Sequence, residues 1–304
     1  MIDLFFIKTF VTITKTHSFR ITAEQNHITQ PAVSQHIKIL EQRLGATLFE
    51  RHGKKVALTC AGKTFLPYAE NILKQYEEAK SHIHELEHKF NGTIHVATIY
   101  SIGLYELQPI IKKFFKKYPN INLHLEYHAS ATIYEMILKR TIDFGLVAYP
   151  QEKAGITSEV FTEDTLVFVQ SPVRRAVPKK HVSLKSLAQA KFIAFSQSVP
   201  TGKIIGEFFE SNDLTPNVIH DYDNIELIKS AVILGLGYAA LPKNTIAREL
   251  KEQSLEIIQV DDFDLKRPLG VLYPEKKIFT KSTCAFLKML MEKNERFREP
   301  ALRV

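Results

Sequence analysis

Between Phe65 and Phe90 the apolar residues fall at Phe65, Ala69, Ile72, Tyr76, Ala79, Ile83, Leu86 and Phe90, at intervals that alternate four and three throughout. A repeat averaging 3.5 residues keeps one stripe of a helix turned toward a partner. Lys74, Gln75, Glu77, Glu78, Lys80, Glu85, Glu87 and Lys89 lie between these positions and make a solvated exterior. The spacing predicts one continuous helix, roughly 40 Å long at about 1.5 Å per residue. Such a stripe packs either on its own chain or on a second copy, and the strict alternation favours the second copy. Asn91-Gly92 supplies a C-terminal stop. A rod of this kind divides the chain, and 304 residues suffice for about two domains.

Ahead of the rod, Leu4, Phe5, Ile7, Phe10, Val11 and Ile13 recur at near-helical spacing. Ser18-Phe19 leads into a second helix through Thr22, Ala23, Gln25 and Asn26, and His27-Ile28 turns the chain into Thr29-Gln30-Pro31. Thr29 is a good N-cap, and Pro31 suits a first helical turn, where its missing N–H costs nothing. The third helix has two faces. Val33, Ile37, Leu40 and Leu44 make an apolar stripe, while Gln30, Ser34 and Lys38, with Gln35 beside them, are polar without being simply charged. An ordinary solvated face would be richer in Lys and Glu. Glutamine can pair bidentately with adenine, and serine can serve several bases. Two helices joined by a short turn, the second polar at its N-terminal end, form a helix-turn-helix. Leu48–Thr59 then reads as a β-hairpin wing with Gly53 near its tip, and Arg51, Lys54 and Lys55 placed to meet phosphate. Through residue 63 the chain carries nine basic and four acidic side chains, so most of its net charge of +7 sits in its first fifth. An anionic partner fits that distribution.

The run SFRITAEQNHITQPAVSQHIKILEQRLGATLFERHGKKVALTCAG resembles the DNA-binding domain of the LysR-type transcriptional regulators over some forty residues. Its QPAVSQHIKILEQRLGATLFER core and LT-x-AG close carry the likeness. Ile21-Thr22 departs from the small residues usual in that family's second helix, and Cys60 from a common proline; neither is on the base-reading face. The resemblance implies double-stranded DNA as partner, base contacts from Gln30, Ser34 and Gln35, a start shaped by Pro31, and phosphate contacts from Lys38, Arg51, Lys54 and Lys55. It also implies that the rod pairs two subunits, that the assembly is a homodimer or homotetramer, and that RNA polymerase is a further partner.

Beyond Gly92 strands alternate with helices. Strands are expected at Thr93–Ile99, 121–127, Phe144–Ala148, Leu166–Gln170, Lys191–Ser196, Asn217–Tyr222, Tyr238–Leu241, Leu255–Val260 and Leu269–Tyr273, and helices around 104–115, Ile133–Lys139, Gly202–Ser211, Ile225–Leu234 and Thr280–Glu292. That order implies parallel-rich sheets with ligands at strand ends. Tyr118-Pro119, Asp143-Phe144-Gly145-Leu146 and Gly235–Pro242 look like landmarks of the LysR-type effector domain, which resembles periplasmic solute-binding proteins of type II. The fold expected is therefore α/β with a winged helix-turn-helix at 1–60, a linker helix at 61–91, a first lobe at 92–161 plus 267–304, and a second at 162–266. The lobes would be joined by crossings near Phe161–Asp164 and Asp262–Lys266, with a small anionic or polar effector between them. Helix N-termini hold anions. Tyr100, Ser101, Ile102 and Ser130 in the first lobe, and Ser196 and Thr201 in the second, stand at such ends; for any one of them an N-cap role is equally open. His128 stands where the family often has glycine, and Pro200 where it often has serine.

Several functions are unsupported. No nucleophile or acid–base constellation, G-x-S-x-G, H-E-x-x-H, Walker-type loop or metal-ligand spacing is present, so no enzyme, cofactor or metal is expected. Cys60 and Cys284 read as structural thiols. No apolar run reaches the roughly 18 residues of a membrane span, and the first residues do not resemble a signal peptide, which points to the cytoplasm. A solute-binding protein without a transcriptional role would leave the first sixty residues unexplained. A ligand-independent repressor would leave the two lobes unexplained.

Overall fold

The computed structural model describes residues 3–52, 55–86, 90, 92–177, 181–261 and 263–292. The chain divides near Lys89 into two compact units. In the first, helix α1 (Leu4–Thr16) is capped by Asp3, whose carboxylate accepts the Phe5 N–H at 2.8 Å, and stopped by His17 in the left-handed region at φ 51°. Helix α2 (Phe19–Gln25) starts at Ser18, whose hydroxyl accepts the Ile21 N–H. Helix α3 (Gln30–Leu44) has Thr29 as N-cap, Pro31 in its first turn and Gly45 at φ 67° as its stop. Val33, Ile37 and Leu40 are buried against Ile7, Phe10 and Ile13, each such side chain contributing about 1.5–3 kcal/mol of transfer free energy. Leu44 does not complete that stripe; it lies past the edge of the core and is 37% exposed. Thr22 takes a small residue's place without penalty because its buried hydroxyl pairs with Thr16 Oγ1 at 2.7 Å.

Strands β1 (Phe49–His52) and β2 (Lys55–Leu58) form the hairpin, in a register running from Phe49 opposite Leu58 to His52 opposite Lys55. Glu41 of α3 accepts both the Leu48 and the Phe49 N–H, which pins the hairpin to the third helix. Helix α4 (Cys60–Leu86) begins where Thr59 Oγ1 accepts the Gly62 N–H. A Cβ on Gly62 would stand 2.2 Å from the Leu48 carbonyl oxygen, so the helix can approach the wing only with glycine there. The rod differs from the sequence expectation at its start. Phe65 and Ala69 belong to the core of the winged helix, Phe65 lying against the Phe10 ring at 5.2 Å. The apolar face left uncovered runs from Ile72 (42% exposed) through Tyr76 and Ala79 to Ile83 (65%).

The second unit has two lobes sharing a seven-stranded sheet. In the first lobe β3 (Gly92–Thr98) runs parallel to β4 (Ile121–Tyr127) and β5 (Phe144–Ala148). A π-helical turn (Ile102–Glu106) leads into α5 (Leu107–Lys117), and α6 (Ser130–Leu138) follows β4. Phe114, Phe144 and Leu146 center this lobe's core. Strand β6 (Ile156–Gln170) is continuous: the separate strand expected at Leu166–Gln170 is its second half. In the second lobe come α7 (Leu184–Gln189), β7 (Lys191–Phe195), α8 (Pro200–Ser211), β8 (Asn217–Tyr222), α9 (Ile225–Ile233), β9 (Ala239–Pro242), α10 (Ala247–Lys251) and β10 (Glu256–Ile258). The chain then returns through β11 (Lys266–Pro274) to α11 (Lys281–Met291).

Residues 156–165 of β6 pair antiparallel with β11, while 166–170 pair with β9 and β10. The two lobes are thus joined where Asp164 faces Arg267 in the ladder. The return crossing lies at the start of β11, at Lys266 and Arg267. Among the described residues the parallel strand pairs are β3 with β4, β3 with β5 and β7 with β8, to which isolated parallel bridges add His181 with Gln259 and Phe192 with Tyr238. The pairings of β6 with β9, β10 and β11, and of β11 with β5, are antiparallel.

Candidate functional site

Helix α3 presents Gln30, Pro31, Gln35 and Lys38 exposed and Ser34 half-buried. Among the described residues none of the four polar side chains has a partner within the protein, so their donors and acceptors stay available. The helix is kept from rolling by His36, on its opposite side. His36 Nδ1 lies 3.0 Å from Thr9 Oγ1, and its ring packs on Phe6 at 4.7 Å. Burial holds His36 below its ordinary value, only partly offset by Asp3, so the imidazole is neutral where it packs. Arg51 and Lys55 stand on the hairpin strands; Lys54 lies outside the described residues.

In the second unit the structure brings Ser101 and Thr201 together through a residue the sequence reading missed. Arg267 donates from Nη2 to Ser101 Oγ at 2.7 Å and from Nε to Thr201 Oγ1 at 3.3 Å. One hydroxyl belongs to each lobe, and the guanidinium sits on the crossing strand between them. Neither hydroxyl caps a helix: Ser101 makes no capping bond, and α8 has Val199 as its N-cap and Pro200 in its first turn. The departure from serine at Pro200 therefore removes a hydroxyl and leaves the helix start sound. Gly202 is required for the close approach of α8, since a Cβ there would stand 2.2 Å from the Ser196 carbonyl oxygen.

The other candidates do not converge in the same way. Ile102 turns its side chain into the lobe core with no exposure, and its N–H donates to the Ile99 carbonyl. Tyr100 is exposed and stacked on Tyr127 at 5.2 Å. Ser130 is half-buried at the start of α6, and Ser196 Oγ accepts from Ser198. His128 lies 3.0 Å from the Glu126 carboxylate.

Arg267 is 3% exposed, and its charge faces Asp164 at 3.8 Å. Burial dominates both groups, pulling the guanidinium down and pushing the Asp164 carboxyl up, against the Thr165 N–H and Arg267, which favour the carboxylate. Arginine remains charged through such shifts. Tyr149, beside this pair, is pushed up to about 12 by burial, so it is a neutral phenol that donates to the Lys266 carbonyl.

A second polar cluster also crosses between the lobes. Tyr105 donates to Glu226 at 2.6 Å and accepts from Lys229 at 2.6 Å, while Lys229 also reaches Glu249 Oε1 at 2.6 Å and the Thr245 carbonyl at 2.9 Å. Beside it, Asn244 donates to Glu106 at 2.9 Å. Both missed cations left a sequence signal. Lys229 interrupts the apolar stripe Ile225, Ile228, Val232, and Arg267 follows Lys266 directly before the apolar run of β11.

Among the described residues no group of three or more His, Cys, Asp or Glu could hold a metal, and no helix is long and apolar enough to cross a membrane. Residues 5–63 match the family described as bacterial regulatory helix-turn-helix protein, lysR family, and residues 87–295 match the LysR substrate binding domain. The chain is 32% identical over 274 residues to a probable RuBisCO transcriptional regulator of Thalassiosira pseudonana, covering 88% of this chain and 89% of that protein. It is 30% identical over 286 residues to the transcriptional activator CmpR of Synechocystis, covering 94% of each. The crystal structure of full-length CbnR with its target DNA superposes with a TM-score of 0.76 at 17% identity, covering 96% of this chain and 99% of that one. The regulatory domain of Synechocystis CcmR in complex with 2-PG superposes with a TM-score of 0.61 at 22% identity, over 68% of this chain and 99% of that one. At those identities the two structures establish the shared fold.

Proposed function

Because the chain belongs to the LysR family of transcriptional regulators, DNA-binding proteins with an effector domain, we propose that its effector binds between the two lobes beside Ser101 and Thr201. The observation that carries this is the convergence of two buried hydroxyls, one per lobe, that serve no helix cap. Tyr100, Ser130 and Ser196 lie at the adjoining strand ends and would border the ligand. That the CcmR domain was solved with 2-PG supports a small molecule in this kind of fold. A ligand moves an equilibrium only through different affinities for two conformations. Here those are two dispositions of the lobes about the Asp164 and Arg267 crossing, and a coupling of about 1–3 kcal/mol changes promoter occupancy several-fold.

In the same reading Gln30, Ser34 and Gln35 contact base edges, and Pro31 shapes the start of the reading helix. Lys38, Arg51, Lys54 and Lys55 bind phosphate. Exposed Ile72, Tyr76, Ala79 and Ile83 pair two subunits along α4, and two such dimers make a tetramer that works in the cytoplasm and contacts RNA polymerase. Linking several winged helices raises the effective local concentration of each. The test is footprinting and calorimetry with the inducing metabolite on the full chain. Ser101→Ala with Thr201→Ala should abolish the metabolite response and leave operator affinity without metabolite nearly unchanged. A full response from this double variant would reject the cleft.

A further inference from the structure

Helix α3 is held to the rest of the first unit by apolar contacts and by two polar anchors. Among the described residues, the side chains of α3 that hydrogen-bond to other elements are His36 and Glu41. Glu41 stands in the C-terminal half and grips the hairpin. Gln30, Ser34 and Gln35 stand in the N-terminal half, where Val33 and Ile37 are buried. Apolar burial is non-directional, so it presses this half down without fixing its tilt. A hydrogen bond is directional, and His36 supplies the one that ties this half to α1.

That bond is specified from both sides. Thr9 is fully buried, and its hydroxyl donates to the Phe5 carbonyl at 2.8 Å. Its single proton is thereby used. Toward His36 Nδ1, 3.0 Å away, Thr9 therefore accepts, and the neutral imidazole carries its hydrogen on Nδ1. The ring is wedged against Phe5, edge-on at 5.4 Å, and Phe6 at 4.7 Å. Helix α1 is a firm reference, because its Phe10 packs on Phe65 of α4 at 5.2 Å. At about 1.5 Å per residue, Gln30 lies about 16 Å along α3 from Glu41, so a swing of about 10° about that anchor moves it by about 3 Å. A recognition site has to be held to within about 0.5 Å.

Resting on the reading of α3 given above, we propose that His36 is a positioning residue for sequence recognition: through Thr9 it fixes the tilt of α3, so that Gln30, Ser34 and Gln35 meet base edges together. His36 stands on the side of α3 away from the bases and acts through these three residues. Its loss relaxes discrimination at all the base positions they read, whereas loss of Gln35 alters its own position. Phosphate contacts from the hairpin, which Glu41 holds, are spared.

The experiment compares the affinity of the full chain for random-sequence DNA with that for the site the wild-type chain selects from a randomised pool. His36→Phe keeps a ring without a donor; His36→Asn keeps a donor near the Nδ1 position without the ring. His36→Phe should lower the ratio of specific to random-sequence affinity by about tenfold or more. It should flatten the profile at every read position and leave random-sequence affinity within about twofold of wild type. Thr9→Val, which removes the acceptor from the other helix, should do the same, and the double variant should add little to either single one. His36→Asn should recover part of the ratio. Melting curves establish that each variant is folded at the binding temperature; if His36→Phe is not, Thr9→Val and His36→Asn carry the comparison. An unchanged ratio in His36→Phe or Thr9→Val, equal losses on both DNAs, additive effects of the two substitutions, or His36→Asn no better than His36→Phe would each overturn the proposal. If Gln35→Ala alters its position while His36→Phe leaves the ratio intact, the reading of α3 stands and the role of His36 falls. If neither changes the profile, both fall.

Discussion

Replacing Lys229 by methionine should destabilise the effector unit and leave the winged helix untouched. The side chain is 4% exposed, and its ammonium makes three close contacts, with Glu249 Oε1, the Tyr105 hydroxyl and the Thr245 carbonyl. Methionine keeps most of the volume, so cavity formation is minor. The loss is electrostatic: Glu249, already with Oε2 unpartnered in the interior, is left without its cation. Breaking a buried pair by removing one member costs about 3–5 kcal/mol. For a unit of about 200 residues each kcal/mol lowers Tm by roughly 2–4 °C, so melting should fall by roughly 6–20 °C. Burial lowers the Lys229 pKa, but its bonds to Glu249 and Tyr105 outweigh that and raise it above 10.5. A raised lysine pKa contributes stability fully present below the unfolded value and lost as pH rises through the folded one. The gap between Lys229→Met and wild type should then be flat through neutral pH and narrow above about pH 10.5. Calorimetric melting across that range is the assay. A variant melting within about 2 °C of wild type, where breaking a buried pair should cost several kcal/mol, or a gap that widens at alkaline pH, would refute the reasoning.

Gln35→Ala should change base preference at a cost of about 1–3 kcal/mol per lost contact, while Lys54→Ala should weaken all sequences alike and reduce the salt slope by about 1; an unchanged randomised-site profile for Gln35→Ala would contradict the assignment. Ile72→Asp with Ile83→Asp should leave the melting of a single chain little altered, because both positions are exposed in it, yet bury charges worth several kcal/mol in a paired seam. Sedimentation should report monomers with weakened operator binding, and an unchanged assembly would rule out pairing through this face.

Much of this protein is legible in its sequence because the relevant signals are local. Asp3, Ser18 and Thr29 cap the helices they precede, Gly45 stops α3, and the alternation of apolar and polar residues divides α3 into an inner and an outer face. Each depends on neighbours within about one turn of backbone. The same locality put Ser101, Ile102 and Thr201 at strand–helix junctions without telling which way each side chain turns, and Ile102 turns into the core. It also misread the start of the rod. Phe65 and Ala69 keep the heptad spacing, but whether such a stripe meets its own domain or another chain is decided by what stands opposite. Leu166–Gln170 looks like a strand of the second lobe, yet it continues residues 156–165, because pairing partners far along the chain, β11 and then β9, extend it. The tertiary structure alone decided that Ser101 and Thr201, a hundred residues apart, share one guanidinium from a strand 66 residues further on. No periodicity reports such a meeting, since the Coulombic and hydrogen-bonding demands of a buried charge are met through space and are blind to sequence separation.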